Sequence, residues 1–120
     1  MLFERIITNE SVVLDIFKSS FGKHKHLLLT YINQHCFNVY STNPEYKNLI
    51  DDKFIVYADG VGINLAIRVL FKKNYKQFNA TDLNERIVKI LIDRKIKFFI
   101  LGGNFNEVEE LIPLWKMKFN

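Results

Sequence analysis

The chain has 120 residues, 17 Lys+Arg against 13 Asp+Glu, three His and a single Cys. That length supports one domain, residues 1–120, and 48% hydrophobic with 25% charged residues is the composition of a globular fold, not of a disordered tail, a collagen or a coiled coil. One Cys excludes an internal disulfide scaffold, no apolar run nears the roughly 18 residues of a membrane span, and Glu4 and Arg5 break up the apolar start as no secretory signal would, so a cytoplasmic protein, soluble or peripheral to the membrane, is expected.

In chain order, Leu2 to Ile7 reads as a weak first strand. Ser11 to Ser20 is helical, with Val12, Val13, Ile16 and Phe17 on one face, Asn9 as cap and Phe21-Gly22-Lys23 as its end. His26 to Ile32 is a short apolar run of the kind a buried strand has, and Asn33 to Tyr40 is helical. Ser41-Thr42-Asn43-Pro44 turns into a further helix with Pro44 at its first position, and Phe54 to Ala58 is the next strand. Asp59-Gly60 opens a helix to about Phe71 that is apolar nearly all round and is therefore expected to be buried. Thr81-Asp82 caps a longer helix to about Arg94, and Lys97 to Leu101 is a strand. Gly102-Gly103-Asn104 then turns into a helix that Pro113 stops. Short apolar strands alternating with helices specify an α/β domain with a mainly parallel, Rossmann-like sheet flanked by helices.

Charge is uneven: residues 1–60 carry a net −1 and residues 61–120 a net +5. A basic second half suits lipid headgroups or nucleotide phosphates. Nucleic acid is the poorest fit, because the Lys residues are scattered and no RNP-like or helix-turn-helix signature occurs. Thirteen Lys to four Arg with twelve Asn is also what an AT-rich coding bias produces without any binding role.

Ligands of open α/β sheets bind outside the carboxyl ends of the strands. Three such junctions carry polar or Gly residues: Asn33-Gln34-His35, Asp59-Gly60 with Gly62, and Gly102-Gly103-Asn104. On neighbouring strands they would converge on one cleft. Glycine there permits close backbone approach, and helix N-termini offer N–H groups to phosphate or sugar oxygens. Asp59, after an apolar strand and before an apolar helix, is either a helix cap or a general base. His24 and His26 lack the further ligands of a metal site, Cys36 falls at a helical core position, and Asp51-Asp52 reads as a solvated turn. The Gly102-Gly103 turn is not a dinucleotide fingerprint.

The runs LLLTYINQHCFNVY (Leu27 to Tyr40), YADGVGINLAIRVL (Tyr57 to Leu70), Ala80-Thr81-Asp82 and FFILGGN (Phe98 to Asn104) occur in an order and spacing that resembles the WecG/TagA/CpsF glycosyltransferases, family 26, over roughly residues 2–112. The resemblance implies transfer of an N-acetylmannosamine-type sugar from a UDP donor to a lipid-linked GlcNAc acceptor at the inner face of the cell membrane. The products are teichoic-acid linkage units, enterobacterial common antigen or capsules. It further implies inversion, no obligatory metal or other cofactor, Asp59 as the base and Asn33 in the acceptor pocket. Thr30, Tyr31, Gly60, Gly62, Gln77, Thr81 and Asp82 are then expected on the acceptor side, and Gly102, Gly103 and Asn104 on the donor side.

The chain departs from the family pattern at several positions. Gln77 stands where the family usually has Arg, Ala80 where it has Gly, Asn79 where Thr is common, and Tyr31 where Thr usually precedes the Asn by two. Lys73 or Lys76 would replace the Arg only as a mobile point charge. Family members run longer, so the chain reads as the N-terminal, acceptor-side portion of such an enzyme. Its tail, Leu114 to Phe119, is either a membrane-interface segment or an exposed edge prone to self-association. Two other classes fit the same elements: a non-catalytic α/β module binding a nucleotide or partner, and a receiver-type signalling domain. The receiver reading lacks an acidic pair beside Asp59, because the first strand ends in Ile7-Thr8-Asn9.

Overall fold

The computed structural model describes residues 2–23, 26–72 and 76–119. The chain forms two compact units, Met1–Leu83 and Asn84–Asn120. In chain order the first holds α1 (Leu2–Arg5), α2 (Glu10–Ser20), β1 (Leu29–Ile32), α3 (Gln34–Thr42), α4 (Pro44–Lys53), β2 (Ile55–Ala58) and α5 (Val61–Phe71). Helix α6 (Ala80–Asp93) begins in this unit and ends in the second, which also holds α7 (Phe105–Phe119). The fold is mixed α/β, mostly helical, and its sheet is a parallel pair.

β1 and β2 run in register from Leu29 opposite Ile55 to Ile32 opposite Ala58. The other edge of β2 is met at one point: the Ile7 N–H donates to the Val56 carbonyl and the Ala58 N–H to the Ile7 carbonyl, both at 2.9 Å. β2 is therefore flanked on both sides, and Val56, Tyr57 and Ala58 are all buried. Around it pack Ile32, Tyr40, Ile50, Ile63 and Ile67, with Leu2 and Ile6 from the chain start.

Capping follows the sequence. Asn9, Asn33 and Asn43 each accept a backbone N–H in the first turn of α2, α3 and α4, and Pro44 sits at the start of α4. The last carbonyls of α4 are covered by Arg5, whose guanidinium reaches the Ile50 carbonyl at 2.6 Å, the Asp51 carbonyl at 2.8 Å and the Asp51 carboxylate at 3.2 Å. The Tyr40 hydroxyl (3.0 Å) and Lys47 (2.8 Å) also donate to that carboxylate. Lys47 first, then Tyr40 and Arg5, hold the Asp51 carboxyl below the ordinary carboxylate range.

Several expectations are corrected. Leu2 to Ile7 is not a strand: Leu2 and Ile6, four apart, share a helical spacing and are buried together, and only Ile7 bridges the sheet. The first apolar run yields a strand only over its last four residues, and Leu28 and Tyr31 are exposed. Helix α5 is buried on one face alone, through Ile63, Asn64 and Ile67, while Val61, Leu65, Val69 and Leu70 are exposed. Asp51 belongs to the last turn of α4, not to a turn between elements.

In the second unit, Lys97 to Leu101 forms no strand. A strand needs a ladder partner, and here Phe99 and Leu101 are fully exposed. Two residues past the end of α6, Lys95 has a positive φ of 55°, which lets the Ile96 N–H turn back to the Leu91 carbonyl at 2.9 Å. Asn104 caps α7 through the Glu107 N–H, and Glu107 returns a carboxylate oxygen to the Asn104 N–H. Pro113 does not stop α7, which runs through it to Phe119. Proline removes one backbone bond, and the residues around it (Leu111, Leu114, Met117) are good helix formers. Lys118 pairs with Glu85, and Trp115 packs on Phe119 at 5.4 Å between ring centroids. Among the described residues no helix is long and apolar enough to cross a membrane.

Candidate functional site

The carboxyl ends of β1 and β2 lie side by side, and the chain leaves both into helices. A cleft of about 480 Å³ opens there, lined by Asn33, Gln34, His35, Asn38, Asp59, Gly60, Val61 and Gly62. Two of the three expected junctions thus converge. The third, Gly102-Gly103-Asn104, belongs to the second unit and follows no strand.

Asn33 serves two surfaces. Its Oδ1 accepts the Cys36 N–H at 2.9 Å and so starts α3, while its backbone carries β1 into the cleft wall. Gln34 stands against Gly62: a Cβ on Gly62 would meet Gln34 Oε1 at 3.2 Å, the free end of a side chain that can move. Asn38 lies one helical turn beyond Gln34 on the same face.

Asp59 is half-buried and lines the cleft. Its N–H extends the sheet by donating to the Ile32 carbonyl at 3.0 Å. Its carboxylate does not cap the helix that follows. Gly60 is the N-cap of α5, at φ 84°, and provides no side-chain bond. Asp59 Oδ1 instead accepts the Ala80 N–H at 2.9 Å, at the start of α6. The first turn of α5 therefore keeps N–H groups available at the cleft edge. Behind the turn, buried Asn64 (4% exposed) donates its side-chain amide to the Gly60 carbonyl at 2.7 Å.

Tyr57 lies beneath the site at 4% exposure, stacked on Phe78 (centroids 5.7 Å, planes 25° apart) and tilted against Tyr31 at 6.2 Å. Burial, then the Asp59 carboxylate and Tyr31, push its hydroxyl up to about 12. Gln77 lines a separate small pocket with Val61, Asn64, Leu65 and Arg68. Thr30 and Tyr31 lie within β1 and do not line the cleft. Thr81 and Asp82 do not cap α6. The cap is Asn79, whose Oδ1 accepts the Asp82 N–H at 2.8 Å while its amide donates to the Asp82 carboxylate at 2.9 Å. Cys36 is half-buried and packs against the core. His26 is exposed, and His24 and Lys73 lie outside the described residues. Among the described residues no three His, Cys, Asp or Glu side chains gather to hold a metal ion.

Sequence reasoning missed Asn64, Asn38, Tyr57 and Ala80. Asn64 had a signal, being a lone amide in an apolar helix four residues after Gly60. Ala80 had none, because its part is played by a backbone N–H.

The cleft can do specific chemistry. Three amides, the His35 imidazole and one carboxylate line it, and among the described residues no Lys or Arg does, which suits the hydroxyls of a neutral sugar better than a diphosphate. The sequence model of the glycosyl transferase WecG/TagA/CpsF family matches residues 5–120. The chain belongs to this glycosyltransferase family. Neither a curated protein nor a solved structure matches it.

Proposed function

We propose that the chain binds a lipid-linked GlcNAc acceptor in the cleft between β1 and β2 and transfers to it an N-acetylmannosamine-type sugar from a UDP donor, in the assembly of a cell-surface polysaccharide or teichoic acid. The observation that carries this reading is Asp59 in the lining of an amide-rich cleft that Asn33 also lines. Asp59 takes the proton of the acceptor 4-hydroxyl as that oxygen attacks the anomeric carbon of the donor. The new glycosidic bond forms on one face, the bond to UDP breaks on the other, and configuration inverts. Asn33 hydrogen-bonds the sugar and fixes its angle, and holding both reactants supplies much of the rate. The reaction is read as metal-free, with N–H groups at helix N-termini meeting the charge on departing UDP. Gln77, Thr81 and Asp82 are assigned to the acceptor side.

The parallel pair is read as the centre of a Rossmann-like sheet, and the cleft at its strand ends as the acceptor side of the site. Work at the inner membrane face follows from the lipid-linked acceptor, and Trp115 with Lys116 and Lys118 near the end of α7 is suited to an interface. The exposed Phe99, Ile100 and Leu101 favour self-association.

Titrating isotopically labelled chain with a soluble lipid-linked GlcNAc analogue, and separately with UDP, tests the reading. Amide shifts from the acceptor are expected at Asn33, Asp59 and Gly60, with little response to UDP there. A well-dispersed spectrum that responds to neither would replace the enzyme with a non-catalytic module, the reading that Gln77 in place of the family Arg favours.

A further inference from the structure

The segment entering α6 is fastened to the end of β2 at two points with one spacing. Tyr57 and Asp59 are two residues apart, and so are Phe78 and Ala80. The Tyr57 ring stacks on Phe78, and Asp59 Oδ1 accepts the Ala80 N–H. Ala80 is the first residue of α6, and first-turn N–H groups have no acceptor within their own helix. The cap, Asn79, covers the N–H of Asp82, not that of Ala80. The Ala80 N–H is thus directed at Asp59 from the positive end of a 14-residue helix. Asp59 Oδ2 makes no hydrogen bond among the described residues.

We infer that Ala80 is a positioning residue for Asp59: its main-chain N–H, held in place by the Tyr57–Phe78 stack, fixes one carboxylate oxygen and leaves the other to take the proton of a hydroxyl in the cleft. The inference rests on the reading of Asp59 as the base. It gives the backbone of α6 a role that no side chain at position 80 supplies, so glycine and alanine serve equally there and proline does not. Phe78 acts at one remove, because its ring sets where the Ala80 N–H lies.

Ala80→Pro is the discriminating variant. Proline is tolerated at the first position of a helix, and the extended backbone of a cap residue is what the residue before proline adopts. The substitution therefore deletes the donor and spares the helix, whereas Ala80→Gly keeps the donor. Three-bond couplings in labelled chain report the χ1 rotamer of Asp59, and kinetics report kcat and KM. One rotamer is expected in the unsubstituted chain and in Ala80→Gly, and averaging over two or more in Ala80→Pro. With it, kcat falls roughly tenfold at unchanged KM in Ala80→Pro alone, the effect of a misplaced reacting group. A single rotamer retained in Ala80→Pro, or an equal loss in Ala80→Gly, overturns the inference. Should Ala80→Pro fail to fold, averaged couplings in the unsubstituted chain, or a single rotamer in a folded Phe78→Ala, overturn it as well, and averaging in Phe78→Ala supports it. If no variant transfers sugar, the transferase reading has failed while the rotamers still decide the positioning.

Discussion

Gly60 holds a φ of 84°, and a methyl group there would meet no atom within 4 Å. With ψ at 162° this is a backbone region essentially reserved for glycine, so the penalty for a side chain is backbone strain alone, about 1–3 kcal/mol. Gly60→Ala is expected to lower stability by about that amount in chemical denaturation. Gly62 is the opposite case: its φ is ordinary, and an added methyl presses on the far end of the Gln34 side chain, which can move. Gly62→Ala is expected to stay within about 0.5 kcal/mol of the unsubstituted chain. Tyr57 makes a prediction in pH. Its hydroxyl titrates near 10 in the unfolded chain and about 12 in the fold, so between these values the unfolded state has lost a proton the fold retains. Stability from this group is full below pH 10 and is lost as pH rises from 10 to 12. Denaturation midpoints across that range should fall, and Tyr57→Phe should flatten this part of the fall.

Among the elements, those set by local chemistry were legible. Asn9 announces one helix start as a cap and Pro44 another, and the apolar runs His26 to Ile32 and Phe54 to Ala58 announce the two strands, which pair over Leu29–Ile32 and Ile55–Ala58. Elements set by distant partners were not. Leu2 to Arg5 has strand-like composition, yet it becomes a helical turn because Arg5 reaches across to the end of α4, 45 to 49 residues away. That contact carries its own prediction. Arg5→Met removes charge-assisted bonds to three main-chain carbonyls at a helix C-terminus, and should lower stability by about 1–3 kcal/mol in denaturant titration. A change under a few tenths would mean that solvent replaces the guanidinium at no cost. Lys97 to Leu101 failed for a related reason: apolar β-formers make a strand only where a neighbour offers its backbone.

At the scale of the whole molecule, the strand-end rule located the cleft. It named Asn33, Asp59, Gly60 and Gly62, all of which line it, because a parallel sheet fixes where strand ends go whatever surrounds them. It could not name Asn64 or Ala80, whose parts depend on a turn and on a backbone N–H 21 residues from its acceptor. The two units and the family match over residues 5–120 frame one central claim, that Asp59 is the base of a sugar transfer. Asp59→Asn tests it most directly, since the amide oxygen can still accept the Ala80 N–H while the ability to take a proton is gone. With UDP-N-acetylmannosamine and a short-chain lipid-diphosphate GlcNAc acceptor, the unsubstituted chain should form the disaccharide. Asp59→Asn should lose roughly 10²–10⁴ in kcat at little change in KM. Turnover by Asp59→Asn equal to that of the unsubstituted chain would contradict the claim.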